Sequence, residues 1–196
     1  HNYAQALLFW KFAEAFVPGK KAPGFVSFGE ALLNGMAMSR NDRIALIYSL
    51  LAKATRIESL ITEHWAAMGE TDSRHQVKLV VDEWGAWHNP GTEVHPAYLF
   101  GQTPAMRDAL ISGLTLDTFH RHADKIAMAN VAQLINNLHC LFLAREDQFV
   151  VTPNYHVFRM YADHRGAKAV RASFAAPAHG SVAGLAGSAS INGKTL

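Results

Sequence analysis

Residues 77–87 read Val-Lys-Leu-Val-Val-Asp-Glu-Trp-Gly-Ala-Trp, and this stretch limits the possible folds of the chain more than any other. It is a short apolar strand that ends on acid and is followed at once by two tryptophans. Side chains in a strand alternate between faces, so Val77, Leu79, Val81 and Glu83 are expected to share one. Three apolar positions and then a carboxylate suggest a core-facing strand that delivers Glu83 into a pocket. Trp84 and Trp87 add flat apolar surfaces of the kind on which sugar rings stack. The plainer alternative is an acid solvated where the loop begins, and the pattern alone does not separate the two.

The chain has 196 residues, enough for one domain or part of a larger protein. Only 17% are charged against 49% hydrophobic, which predicts extensive burial. The net charge of +2 comes without a basic run, so nucleic acid is not implied. No apolar run approaches the length of a membrane span, so no membrane partner is expected. Cys140, the single cysteine, sits among Leu138, His139, Leu141 and Phe142 and reads as a buried, inert thiol. The chain opens at His1 without Met and stops at Leu196 on what reads as a nascent strand, so we expect an internal piece of a longer protein.

Elements follow from spacing. Residues 1–28 mix Phe9, Trp10, Phe12, Phe16, Phe25 and Phe28 with Pro and Gly, a long loop with local helix; Ser27 and Glu30 stand at capping-box spacing. Ile44, Ile47, Leu51, Ala54, Ile57, Ile61, Trp65 and Met68 form one apolar stripe, predicting a single helix from about Asp42 to Met68. A strand over Val77–Asp82 comes next. Thr103-Pro104 predicts a helix start, with the helix running to Arg121 and Met106, Leu110, Gly113 and Leu116 facing inward. Lys125–Asn130 reads as a second strand, Leu134–Leu143 is apolar with ambiguous period, Tyr155–Asp163 reads as helix and Val170–Phe174 as strand. Beyond Ala175 the composition turns to Gly, Ala and Ser, so a boundary is expected near residue 168 with a β domain after it. Helices alternating with short apolar strands fit a parallel α/β sheet, and catalytic residues of (β/α)8 barrels sit at the C-terminal ends of such strands.

Four blocks carry a resemblance: residues 80–87 (Val-Val-Asp-Glu-Trp-Gly-Ala-Trp), 107–110 (Arg-Asp-Ala-Leu), 121–133 (Arg121 to Gln133) and 152–158 (Thr-Pro-Asn-Tyr-His-Val-Phe). In order and spacing they resemble the α-L-arabinofuranosidases of glycoside hydrolase family 51, from about residue 42 to the end. The resemblance implies an α/β fold, the C-terminal part of a (β/α)8 TIM barrel over residues 1–167, followed by the beginning of a β-sandwich domain over residues 168–196. It implies a retaining mechanism with two carboxylates about 5–5.5 Å apart. Glu83 matches the nucleophile. The family's acid/base glutamate, after an Asn on the fourth strand, would lie before His1. Trp87 matches an aromatic lining the sugar pocket, and Gln133 a residue at the end of the eighth strand. His1 and Tyr3 look like a His-x-Tyr at the end of the sixth. Gly85 stands where many members have Asn, and His88 where Tyr is common.

The expected activity is release of terminal non-reducing α-L-arabinofuranosyl residues from arabinan, arabinoxylan and arabino-oligosaccharides, without cofactor or metal. Alternatives are a related retaining glycosidase (an endoglucanase or β-xylosidase) and a non-catalytic carbohydrate-binding fragment. The resemblance further implies a homo-oligomer, commonly a hexamer, and a cytoplasmic location, with which a lone cysteine is compatible. Plain readings stand beside these roles: Trp87 as a packed loop aromatic and Gln133 as a solvated strand-end residue. Strict alternation puts Asp82 on the face opposite Glu83, bonded to neighbouring groups. His120, His122 and Asp124 read as structural hydrogen-bonding groups rather than a metal site, and Asn136, Asn137 and His139 as polar groups packed beside the barrel. Expressed alone, such a piece would leave an open sheet edge and is expected to aggregate or remain molten.

Overall fold

The computed structural model describes residues 39–88 and 100–193. The expected helix start at Ser27 and the His1 and Tyr3 positions lie outside them. In place of the single helix expected over Asp42–Met68 there are two, α1 (Arg40–Ala54) and α2 (Ile57–Gly69). Ser39 caps α1 by accepting the Asp42 N–H at 3.2 Å. The break has a local cause. The Thr55 hydroxyl donates back to the Ala52 carbonyl at 2.8 Å, and the Thr55 and Arg56 N–H groups close turns onto Leu51 and Lys53. The apolar stripe survives across it, with Leu51 and Ile61 buried. Ile44 and Ile47 at its beginning are exposed.

Strand β1 (Leu79–Trp84) pairs in parallel with β2 (Ile126–Val131), and α3 (Met106–Arg121) lies between them in sequence. This is a β–α–β unit, the connection that parallel pairing demands. One cluster holds the helices to the sheet: Ile61 from α2, Trp84 from β1 and Phe119 from α3, with Leu79, Val81, Ile126, Ala129 and Val131 packed around them. A second joins Leu51, Ile111 and Val182. The opposite side of the two strands carries Val80 and Met128, paired in register and each 51% exposed. Parallel sheets are ordinarily covered on both faces.

The inward face of α3 differs from the expected one. Met106 and Leu110 are exposed, whereas Asp108, Ser112, Thr115 and Phe119 are buried. Those four repeat at helical spacing, so the buried face is largely polar; of the residues expected inward, Leu116 packs against the Phe119 cluster, whereas Met106 and Leu110 face out. The helix also begins later than Thr103-Pro104, with Ala105 at the N-cap position.

Beyond β2, Phe142–Arg145 (β3) and Gln148–Val151 (β4) form an antiparallel hairpin whose turn residue Glu146 has a φ of 53°. The sequence gives no glycine at this turn to announce it. Helix α4 (Pro153–Met160) starts with proline in its first turn, and a short 3-10 turn follows at Ala162–His164. Strand β5 (Lys168–Val170) pairs antiparallel with β6 (Ala189–Ile191). The strand expected over Val170–Phe174 is thus shifted toward the N-terminus, and the Phe174 ring instead lies so close to Gly187 that a Cβ there would meet it at 2.7 Å.

Candidate active site

The C-terminal ends of β1 and β2 lie side by side, in register at Trp84 and Val131. The register advances three residues on β1, from Val81 to Trp84, while β2 advances two, from Ala129 to Val131. This is a β-bulge, which interrupts alternation and re-aims side chains. Its consequence corrects the face assignment. Leu79 and Val81 pack into the helix-facing cluster, and so does Trp84, three positions on; Asp82 and Glu83 between them are both exposed. Glu83 is therefore not buried with Leu79 and Val81, and it is exposed like its neighbour Asp82. Asp82 receives the Asn130 side-chain amide of the neighbouring strand at 3.5 Å.

Trp84 and Trp87 part company. Trp84 is 7% exposed, edge-on to Phe119 at 5.4 Å and stacked with Phe158 at 5.8 Å. It is a core residue, not a platform for a sugar. Trp87 is 56% exposed and rests on Phe100, ring centroids 5.6 Å apart. Gln133 is exposed just beyond the end of β2, after a cis Ala132–Gln133 peptide. Glu83, Trp87 and Gln133 thus stand at the same end of the parallel pair.

The loop carrying Glu83 and Trp87 is gripped from three sides by buried polar groups. Just past β2, the Ala132 N–H donates to the Trp84 carbonyl at 2.9 Å. Gln102 spans two residues of the loop, accepting the His88 N–H at 2.8 Å and donating to the Ala86 carbonyl at 3.0 Å. The His88 ring meets Asp108 Oδ1 at 3.1 Å. Asp108 Oδ2 also accepts the Ala105 N–H at 2.7 Å and so ties the start of α3 to the same loop. Burial pushes the Asp108 carboxyl up, but His88, the Ala105 N–H and the Arg107 guanidinium outweigh it and hold the group below its ordinary value.

The third grip is His139, completely buried. Its Nδ1 accepts the Ala86 N–H at 3.1 Å, so the ring proton resides on Nε2, 2.7 Å from Ser112 Oγ. Ser112 in turn donates to Asn154 Oδ1 at 3.3 Å, and the Asn154 amide donates to the His139 carbonyl at 3.2 Å. Burial drives the His139 pKa down to about 4, and the nearby positive side of His88 adds to this against the pull of Asp108. Ser112, His139 and Asp108 are the residue types of a nucleophilic triad, with Asp108 Oδ1 3.8 Å from Nδ1. The hydrogen bonds rule that role out. A base must accept the serine proton, and here Nε2 already carries one, while Ser112 has no exposed surface.

Gly85 belongs to the same construction. Its φ is +145°, and a Cβ there would lie 2.5 Å from the His139 Cβ. The backbone after Glu83 passes directly over the imidazole, and only glycine permits it.

His120 and His122 do not converge. His122 Nε2 hydrogen-bonds Glu58, which also takes Arg121 at 2.7 Å. His120 Nδ1 meets Ser188 Oγ at 3.0 Å, and Ser188 donates to Asp117. These contacts tie α3 to α2 on one side and to the β6 region on the other. The Cys140 thiol is buried and pushed up to about 11 by desolvation, in keeping with an inert group. Sequence reading had no role for Gln102, Ser112 or Asn154 and placed His139 only beside the core; the available signal was the polar repeat Asp108, Ser112, Thr115 on one helix face.

The family model of the alpha-L-arabinofuranosidase C-terminal domain matches residues 82–191, more than half of the chain. An intracellular exo-alpha-L-arabinofuranosidase of Bacteroides ovatus is 36% identical over 122 residues, 61% of this chain and 23% of that protein. An intracellular exo-alpha-(1->5)-L-arabinofuranosidase of Streptomyces lividans is 30% identical over 100 residues, covering 45% and 15%. This chain therefore spans less than a quarter of the length of either. Among solved structures, the GH51 arabinofuranosidase of Xanthomonas axonopodis pv. citri superimposes with a TM-score of 0.53 at 36% identity, over 63% of this chain and 27% of its own. A family 51 enzyme of Bifidobacterium longum has the same fold, with a TM-score of 0.52 at 21% identity over 64% and 28%. Glu83, at the end of β1, and the loop clamped behind it lie within the matched region, and the chain belongs to the alpha-L-arabinofuranosidase C-terminal domain family.

Proposed function

We propose that the protein of which these residues are part is a retaining α-L-arabinofuranosidase, with Glu83 as its nucleophile. The observation that carries the reading is the exposed Glu83 carboxylate on a bulge at the C-terminal end of a parallel strand, inside the family match. That is where the catalytic groups of an α/β barrel belong, and residues 1–167 would form part of such a barrel, with a β-sandwich beginning near residue 168. Glu83 attacks the anomeric carbon and the leaving oxygen takes a proton from a second carboxylate. Water then hydrolyses the glycosyl-enzyme ester with that second group acting as base. The second carboxylate would come from a strand other than β1 or β2, as the resemblance to family 51 implies. Trp87 offers its open ring to the sugar and Gln133 its amide from the neighbouring strand end.

The substrates would be arabinan, arabinoxylan or their oligosaccharides, attacked at terminal residues as the names of both relatives indicate. Those names also support an intracellular, cytoplasmic setting, and no helix among the described residues is long and apolar enough to cross a membrane. The complete enzyme would work as a homo-oligomer. The test is hydrolysis of 4-nitrophenyl α-L-arabinofuranoside by the complete gene product and its Glu83→Ala variant. Loss of kcat on the order of 10⁴-fold or more is expected, with azide restoring turnover and leaving an arabinosyl azide. Retained activity in the variant would remove Glu83 from the mechanism.

A further inference from the structure

We propose that His139 is a positioning residue for the nucleophile: its fixed, neutral imidazole clamps the Ala86 N–H and so sets the path of the Trp84–Gly85–Ala86 link between Glu83 and Trp87. The inference rests on the arabinofuranosidase reading of Glu83 and goes beyond it. Three observations support it. The Ala86 N–H to His139 Nδ1 bond of 3.1 Å joins positions 53 residues apart, so the link is held by tertiary structure and not by its own strand. Gly85, between Glu83 and Ala86, passes so near His139 that a Cβ there would lie 2.5 Å from its Cβ and 2.9 Å from its Cγ, so no side chain fits. The imidazole cannot turn away, because Ser112 holds Nε2 and the His139 main chain is fixed through its N–H to the Ala132 carbonyl at 2.7 Å and its carbonyl from Asn154.

His139 also joins the two strand ends that carry the site. Its side chain bonds the loop after β1, and its main chain bonds Ala132, the residue before Gln133. One residue therefore fixes the nucleophile loop relative to the Gln133 strand end. Such spacing matters, since a displacement of about 1 Å at a reacting group costs on the order of 10²-fold in rate. The groups facing the ring are Asp108 and His88 from one side and Ser112 and Asn154 from the other, and the ring exchanges no proton with substrate.

The experiment uses the complete protein. His139→Met keeps the volume but offers the Ala86 N–H no good acceptor; His139→Gln supplies one acceptor and one donor. With 4-nitrophenyl α-L-arabinofuranoside, the Met variant is expected to lose kcat by on the order of 10²-fold with KM changed little, at temperatures where its circular dichroism matches wild type. The Gln variant is expected to recover most of kcat and to keep the wild-type pH–rate profile. If the Met variant does not fold, the Gln variant decides: kcat near wild type with an unchanged profile supports the clamp, and a lost limb in the profile overturns it by making His139 a titrating catalytic group. A folded Met variant with wild-type kcat overturns the clamp alone. A folded wild-type enzyme with no activity on arabinofuranosides overturns the underlying reading and the clamp with it.

Discussion

Gly85 shows how tightly this site is built around single residues. Its φ of +145° is open only to glycine at low cost, and the space its Cβ would need is taken by His139. Gly85→Ala therefore faces both backbone strain of about 1–3 kcal/mol and a backbone shift away from the imidazole. The shift would lengthen the Ala86 to His139 bond and displace Glu83. A fall in kcat well beyond the loss of melting temperature is expected, measured by comparing initial rates with thermal unfolding of the complete protein. Equal rates would show that the loop can move without consequence. That an acid closes the strand was legible in the sequence, and Glu83 is indeed found in β1 and exposed. The direction in which it points was not, since the bulge that sets it depends on pairing with β2, forty-odd residues further on.

At the scale of elements, the two parallel strands and the apolar face of α2 were read well, whereas the β3–β4 hairpin, the position of β5 and the polar face of α3 were not. Ile61 and Leu51 lie on the stripe that periodicity selects, and both are buried. The inward face of α3 includes Asp108 and Ser112 instead, whose burial is sustained by hydrogen bonds to the loop after β1, to the helix start and to His139. No local rule assigns such residues to a core, because their partners are remote in sequence. The break between α1 and α2 escaped for a related reason, as Thr55 diverts a backbone bond without interrupting the apolar stripe. The anchor of α2 is nonetheless apolar. Ile61 is 2% exposed and meets both Trp84 and Phe119. Ile61→Ala is expected to cost about 2–5 kcal/mol and to loosen the strand that carries Glu83, measured as a lower urea midpoint with reduced kcat. A loss below about 1 kcal/mol would mean that α2 contributes little to holding β1.

For the molecule as a whole, buried His139 and half-buried His120 give stability a pH dependence of predictable sign. His139 has its pKa lowered from 6.5 to about 4, so between those values the unfolded chain binds a proton that the folded chain refuses. Stability then falls as the pH drops from about 6.5 toward 4 and this contribution levels off below. The shift corresponds to about 3 kcal/mol. His120, lowered by burial and then by His164 despite Asp117, acts in the same direction below its ordinary value of 6.5. The carboxylates follow at lower pH. Asp108 and Glu58 are both held below their ordinary values of 3.8 and 4.5, so what they add is complete above those values and is lost as the pH falls further. The expected curve for the complete protein therefore declines in two stages, histidines first and carboxylates after. Urea unfolding at pH 7, 5.5 and 4.5 separates the terms. Wild type loses stability steadily across that series, whereas His139→Gln, with nothing to titrate at that position, shows a shallower slope by up to about 3 kcal/mol. Parallel slopes for the two proteins would mean that the imidazole gains its proton in the folded state as readily as in water. The Nδ1 bond to Ala86, and the tautomer on which the positioning of Glu83 depends, would then have to be abandoned.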